Sequence, residues 1–129
     1  MEPSMSEESM SSVRSQERLL RQEEKDLVRQ LVERTQKGNE VLESLHSIKV
    51  VDLSDGGMGS VRTGPLNDEK RKAIPIASAN YADSDDILIS VQINCDESGR
   101  LLEIDIWKTD FSPVIRYPSS AYRITVQEQ

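Results

Sequence analysis

Residues 87–108, ILISVQINCDESGRLLEIDIWK, constrain the fold more than any other stretch of this chain. Two runs in which apolar and polar residues alternate flank the turn sequence DESG, and successive strand side chains point to opposite faces, so the segment predicts an antiparallel hairpin. A turn that pairs Cys95 with Arg100 sets Ile93 opposite Leu102, Val91 opposite Ile104 and Ile89 opposite Ile106, which makes one face wholly aliphatic. The other face then carries Gln92 opposite Glu103, Ser90 opposite Asp105 and Leu88 opposite Trp107.

An aliphatic sheet face has to be covered, and the N-terminal part of the chain supplies the cover. Leu20, Leu27, Val28, Leu31 and Val32 recur at helical spacing in LLRQEEKDLVRQLVER (19–34), and Glu23, Glu24 and Asp26 sit in its early turns, where the helix dipole favours acids. Gly38 reads as a helix stop, and Asn39 as the cap of a short second helix that buries Val41, Leu42 and Leu45. Beyond residue 47 the period falls to two. Strands are expected near 48–53, 59–62, 74–81, 87–95 and 101–108, with a last one at 122–126. The expectation is an α+β fold in which one or two N-terminal helices pack on an antiparallel sheet of about four or five strands. Residues 1–15 hold six Ser, no aromatic and a single aliphatic side chain, Val13, and read as a disordered tail, leaving 16–129 as one domain.

Charge narrows the partners. The net charge is −7 and the pI about 4.8, and residues 83–129 alone hold 9 acidic against 4 basic side chains. Such a field repels phosphate backbones and anionic lipid, so neither nucleic acid nor membrane is an expected partner, whereas a basic protein is. No apolar run reaches the roughly 20 residues that span a bilayer, and MEPSMSEESMSS lacks the basic start and apolar stretch of a secretion signal. One cysteine, Cys95, forms no internal disulfide, which fits the cytoplasm. A monomer or weak dimer is expected.

Few residue patterns suggest catalysis. His46 is the sole histidine, so a His-rich metal site cannot form, and its position in the last turn of a helix suits a dipole contact. Cys95 continues the aliphatic series Ile87, Ile89, Val91, Ile93 and reads as packing. DGGMGS (55–60) lacks the small residue at position 62 and the Lys at position 60 that phosphate-binding loops require, and is better read as a hairpin turn in which Asp55 bonds the local backbone. DSDD (83–86) and DESG read as solvated turns without EF-hand spacing. No cofactor and no catalytic residue is expected. The alternative is a metal-dependent hydrolase or small-ligand site built on Asp55, Glu103, Asp105 and Asp110, although Lys108 has the wrong parity to join Glu103 and Asp105 in a nuclease motif.

The leading expectation is a noncatalytic protein-binding module. The segment DIWKTDFSPVIRYP (105–118) holds the only Trp, the only Phe and one of three Tyr. Trp107 on the polar face, with Leu88, Glu103, Asp105, Asp110, Arg116 and Tyr117, has the composition of a recognition hot spot. The competing account folds Pro113 and Pro118 back over that face, so that Phe111, Ile115 and Tyr117 make a small second core around Leu88 and Trp107.

The stretches VVDLSDGGMGSVR and LLEIDIWKTDFSPVIRYP resemble a family of small bacterial proteins, a domain of unknown function. Its members are similar to this chain in an N-terminal helix, a DGGMGS turn and a closing DxWKxDFSPxIxxP segment, over about residues 19 to 118. The resemblance implies a bacterial cytoplasmic α+β domain and brings no catalytic residue. It marks the loop Asp55, Gly56, Gly57, Met58 and Ser60 together with Asp105–Pro118, and raises the expectation that the two are neighbours in space. A small acidic domain without a catalytic constellation is also analogous to antitoxin-like and immunity-like proteins.

Overall fold

The computed structural model describes residues 16–33, 35–64, 71–119 and 123–126, the last four by backbone alone. The tail expected at 1–15 lies outside these residues. In chain order the elements are β1 (Arg18–Leu19), α1 (Gln22–Val32), α2 (Gly38–Ser44), β2 (Lys49–Asp52), β3 (Val61–Thr63), β4 (Ile74–Ala82), β5 (Leu88–Cys95), β6 (Leu101–Lys108) and β7 (Arg123–Val126). The strands form one antiparallel sheet in the order β1-β2-β3-β6-β5-β4-β7. The fold is α+β as expected, but the sheet is wider than four or five strands. Among the described residues it has six strands of three residues or more, plus the two-residue β1. A piece as short as β1 is invisible to an alternation test, whereas β7 falls within the last strand expected at 122–126.

Helix α1 starts later than its periodicity suggests because Arg18 and Leu19 pair with Val50 and Lys49 at the sheet edge. The join is electrostatic. Glu24, buried at 1% exposure, accepts the Arg21 backbone amide at 2.8 Å, which caps α1. It also accepts both terminal nitrogens of Arg18 at 2.9 and 2.8 Å, while Arg18 reaches Asp52 of β2 at 2.7 and 3.1 Å. Contrary to expectation Gly38 does not stop a helix but opens α2, and Lys37 rather than Asn39 stands at its N-cap. A Cβ there would collide with the Val32 carbonyl that ends α1, so only glycine allows the two helices to follow so closely.

Both helices cover one face of the sheet. Leu27, Val28, Leu31, Val32, Val41 and Leu45 pack there with Val50, Val61, Ile89, Val91, Ile93, Cys95, Ile104 and Ile106. The expected β5–β6 register is displaced by two residues: Ile93 faces Ile104, Val91 faces Ile106 and Ile89 faces Lys108, while Ser90 faces Trp107, Gln92 faces Asp105 and Asn94 faces Glu103. One residue of the shift comes from the turn, where Asp96 donates its amide to the Arg100 carbonyl at 2.9 Å and Cys95 pairs with Leu101 rather than Arg100. The other comes from a bulge between Asn94 and Cys95. Either slip alone would turn β6 over; the two together restore Glu103 to Lys108 to their expected faces, while Leu101 takes the core position opposite Cys95 and Leu102 is left in the bulge.

Candidate functional site: the outer sheet face and the strap at its end

The face opposite the helices carries Arg62, Asn80, Ser90, Gln92, Asn94, Glu103, Asp105 and Trp107, and its polar groups bond to one another along and across strands. Ser90 Oγ reaches Asn80 Oδ1 at 3.1 Å, Gln92 Nε2 donates to Asn94 Oδ1 at 3.0 Å, and Asn94 Nδ2 donates to Glu103 Oε1 at 3.1 Å. Arg62 lies 3.6 Å from Glu103. Trp107 stands half-buried at one end of this row, opposite Ser90 rather than Leu88. Burial pushes the Asp105 carboxyl up from its ordinary value, and the charges of Glu103 and Asp55 push it the same way. The surroundings of Asp105 thus oppose its charged form.

The glycine turn joins β2 to β3 around one carboxylate. Asp55 accepts the amides of Met58 at 3.0 Å, Gly59 at 3.4 Å and Ser60 at 2.8 Å, and Gly56, Gly57 and Gly59 take φ values of 73°, 86° and 99° that other residues adopt reluctantly. Ser60 then extends the ladder with its side chain. Its Oγ accepts the Ile106 amide at 2.8 Å and donates to the Ile106 carbonyl at 3.0 Å.

Residues 109–117 form a strap across the end of the sheet, and it meets that turn directly. The Val114 amide donates to the Gly57 carbonyl at 3.2 Å, and the Lys108 amide approaches Met58 Sδ at 3.2 Å. The two marked segments are thus neighbours in space. Tyr117 does not join the Trp107 face; it packs with Val114 against the helix-side core, its hydroxyl buried without a hydrogen-bond partner. It also lines a groove of about 400 Å³ with Arg21, Asp52, Asp55 and the turn glycines. Phe111 and Ile115 form no second core: they are 73% and 65% exposed, and Leu88 is 39% exposed.

A buried ion cluster, which the sequence reading passed over, holds the strap. Lys108 lies on the aliphatic face at 0% exposure, with Nζ 2.9 Å from Asp83 Oδ2 and 2.7 Å from Asp85 Oδ2. Asp83 also accepts the backbone amides of Ile115 at 2.8 Å, Arg116 at 2.9 Å and Ser84 at 2.7 Å. Burial by itself would push the Asp83 carboxyl up; the bonds from Ile115, Lys108, Ser84 and Arg116 outweigh it and hold the group far below the usual carboxylate range. DSDD is therefore not a purely solvated turn: Asp83 is among the most fully bonded carboxylates described. The signal that could have found the cluster was parity, since Lys108 follows Ile104 and Ile106 on the core face and a buried lysine needs acids.

Asp110, fully exposed, spends its carboxylate on the Ser112 amide at 3.0 Å and hydroxyl at 2.6 Å, and Arg116 is exposed beyond it. Asp55, Glu103, Asp105 and Asp110 are thus divided among the turn, the outer face and the strap, and among the described residues no group of three His, Cys, Asp or Glu side chains is placed to hold a metal ion. Burial raises the Cys95 thiol, a poor nucleophile in this setting. No helix among the described residues is long and apolar enough to cross a membrane.

Two helices on one face of an antiparallel sheet, with a polar outer face and a clamped strap, define a small α+β domain with open surface at both the face and the end. Residues 17–118 match the family described as Domain of unknown function (DUF6984), and the chain belongs to it. No curated protein and no solved structure matches the chain.

Proposed function

We propose that this chain is a noncatalytic protein-binding module whose acidic and aromatic surface receives a basic protein. The observation that carries this reading is Trp107, half-buried on the face opposite the helices, in line with Glu103 and Asp105. A core tryptophan belongs under the helices, whereas interface anchors are enriched in Trp beside polar groups that set specificity. The raised Asp105 carboxyl supports it too, because a basic partner would relieve the repulsion from Glu103 and Asp55. Single stoichiometric capture, as in antitoxin-like and immunity-like proteins, is the mode of action that a small acidic domain suits best, and the lone buried Cys95 suits a reducing cytoplasm.

The test is an affinity capture with the wild-type chain and a Trp107→Ala, Asp105→Asn variant whose melting curve verifies its fold. One basic protein should be retained by the wild type, lost from the variant, and released when ionic strength shortens the Debye length from about 10 Å to a few ångströms. If Trp107→Ala alone unfolds the domain, Trp107 is a packing residue and the reading falls.

A further inference from the structure

The strap presents its apolar side chains in a way that packing does not explain. Phe111, the only Phe of the chain, is 73% exposed, and its φ is +63°. A bulky residue in the left-handed region is strained, and strain of this kind persists only where the surroundings enforce it. Here they do: Phe111 donates its amide to the Lys108 carbonyl at 2.8 Å, Asp110 locks Ser112 on its far side, and Asp83 fixes Ile115 and Arg116 through their amides. Among the described residues the one other non-glycine residue with positive φ is Asp86, at 68°, in the β4–β5 turn that carries the ion cluster. Both outliers thus sit at the same end of the sheet.

At that end three apolar side chains face solvent: Leu88, Phe111 and Ile115. Thr109 donates its amide to the Leu88 carbonyl at 2.9 Å, which ties the start of β5 to the strap. The exposed charges around them are Asp85, Asp86 and Asp110 against Arg116, since Asp83 and Lys108 are buried against each other. An apolar tip with an acidic rim repels a second copy of itself and an anionic bilayer, and complements an apolar socket edged by lysine and arginine.

We propose that Phe111 and Ile115 are the anchor with which this chain enters an apolar socket, ringed by basic side chains, on a different protein. The inference rests on the protein-binding reading above but moves its centre from the Trp107 face to the end of the sheet. The clamp fixes the anchor before binding, so little ordering entropy is lost when the partner arrives.

The experiment places a photo-crosslinking benzoylphenylalanine at position 111, 115 or 107 of the full chain in the cells that make it. The expected result is one heteromeric adduct from positions 111 and 115, joined to a partner peptide in which apolar residues are flanked by Lys or Arg. Excess wild-type chain should compete the adduct away, while Phe111→Gly and Ile115→Ser chains with normal melting curves should compete about 30-fold less well, as expected for hot-spot residues. An adduct at twice the mass of the chain, one joined to an acidic peptide, or undiminished competition by both variants overturns the proposal. Adducts from position 107 alone overturn it while leaving the protein-binding reading intact, and no adduct from any position removes both.

Discussion

Lys108 Nζ and Asp83 Oδ2 lie 2.9 Å apart inside the domain, on two strand ends that the sequence separates by 25 positions. The pair does more than cancel charge. Through its remaining acceptors Asp83 carries the amides of Ile115 and Arg116, so the ion pair sets the path of the strap. Breaking a buried pair leaves an uncompensated charge, and Lys108→Met is expected to lower Tm more than Asp85→Asn, because Asp85 keeps 36% of its side chain in water. Parallel thermal melts check the order.

The same carboxylate sets an acid limit. Asp83 is depressed in the folded state, so its contribution is fully present above the ordinary carboxylate range of about 4 and is lost as pH falls through that range toward its folded value. Asp83→Asn is expected to be less stable than the wild type at pH 7, with the gap narrowing steadily below about pH 4; urea unfolding across that range measures it.

Asp105 has the opposite sign. Its folded carboxyl is raised, so the stability it contributes is present below the ordinary value near 4 and is lost as pH rises through the folded value. Asp105→Asn removes the repulsion from Glu103 and Asp55 at nearly constant shape. It is expected to raise Tm at pH 7 and to match the wild type at low pH, while weakening partner capture. A melt series in pH, run beside the capture assay, reads both.

Ser60→Ala removes the hydroxyl that pairs with the Ile106 amide and carbonyl, leaving two buried backbone groups without partners. Each such group costs about 1–3 kcal/mol. A loss of about 2 kcal/mol or more is expected in chemical unfolding, with the m-value unchanged.

Phe111→Gly exchanges a strained, exposed side chain for the residue that fits φ +63°. Relief of roughly 1–2 kcal/mol at positive φ is opposed by about 0.5–1 kcal/mol of added unfolded-chain entropy. Stability is expected to be unchanged or higher by up to about 1.5 kcal/mol, and a fall in Tm beyond a few degrees would contradict the exposure of this ring.

The faces of the central hairpin were legible in the sequence because period two is indifferent to a slip of two residues; the pairing itself was not, since neither the use of Arg100 in the turn nor the bulge at Asn94 leaves a mark on alternation. The proximity of the glycine turn and the strap was expected from a resemblance and not from physics, because the Gly57 to Val114 bond joins backbones that no side-chain pattern describes. Trp107 was placed on the polar face by parity alone. Parity also set Lys108 on the face opposite Glu103 and Asp105, but the acids that let it be buried there come from a turn 23 to 25 residues away, and a run such as DSDD looks the same whether one of its members is buried or all are solvated.

Strand β7 lies outside the family span and pairs four residues, Arg123 to Val126, with the nine-residue β4. Without those residues the outermost row of free amides and carbonyls would belong to β4, which has Ile76, Ala77, Ala79 and Tyr81 along it and no charged side chain. Long uncharged edges of that kind recruit further strands and lead to aggregation. Four residues beyond the family span therefore act as a guard against polymerisation, and shortening this chain to residues 17–118 would leave β4 as a self-templating edge.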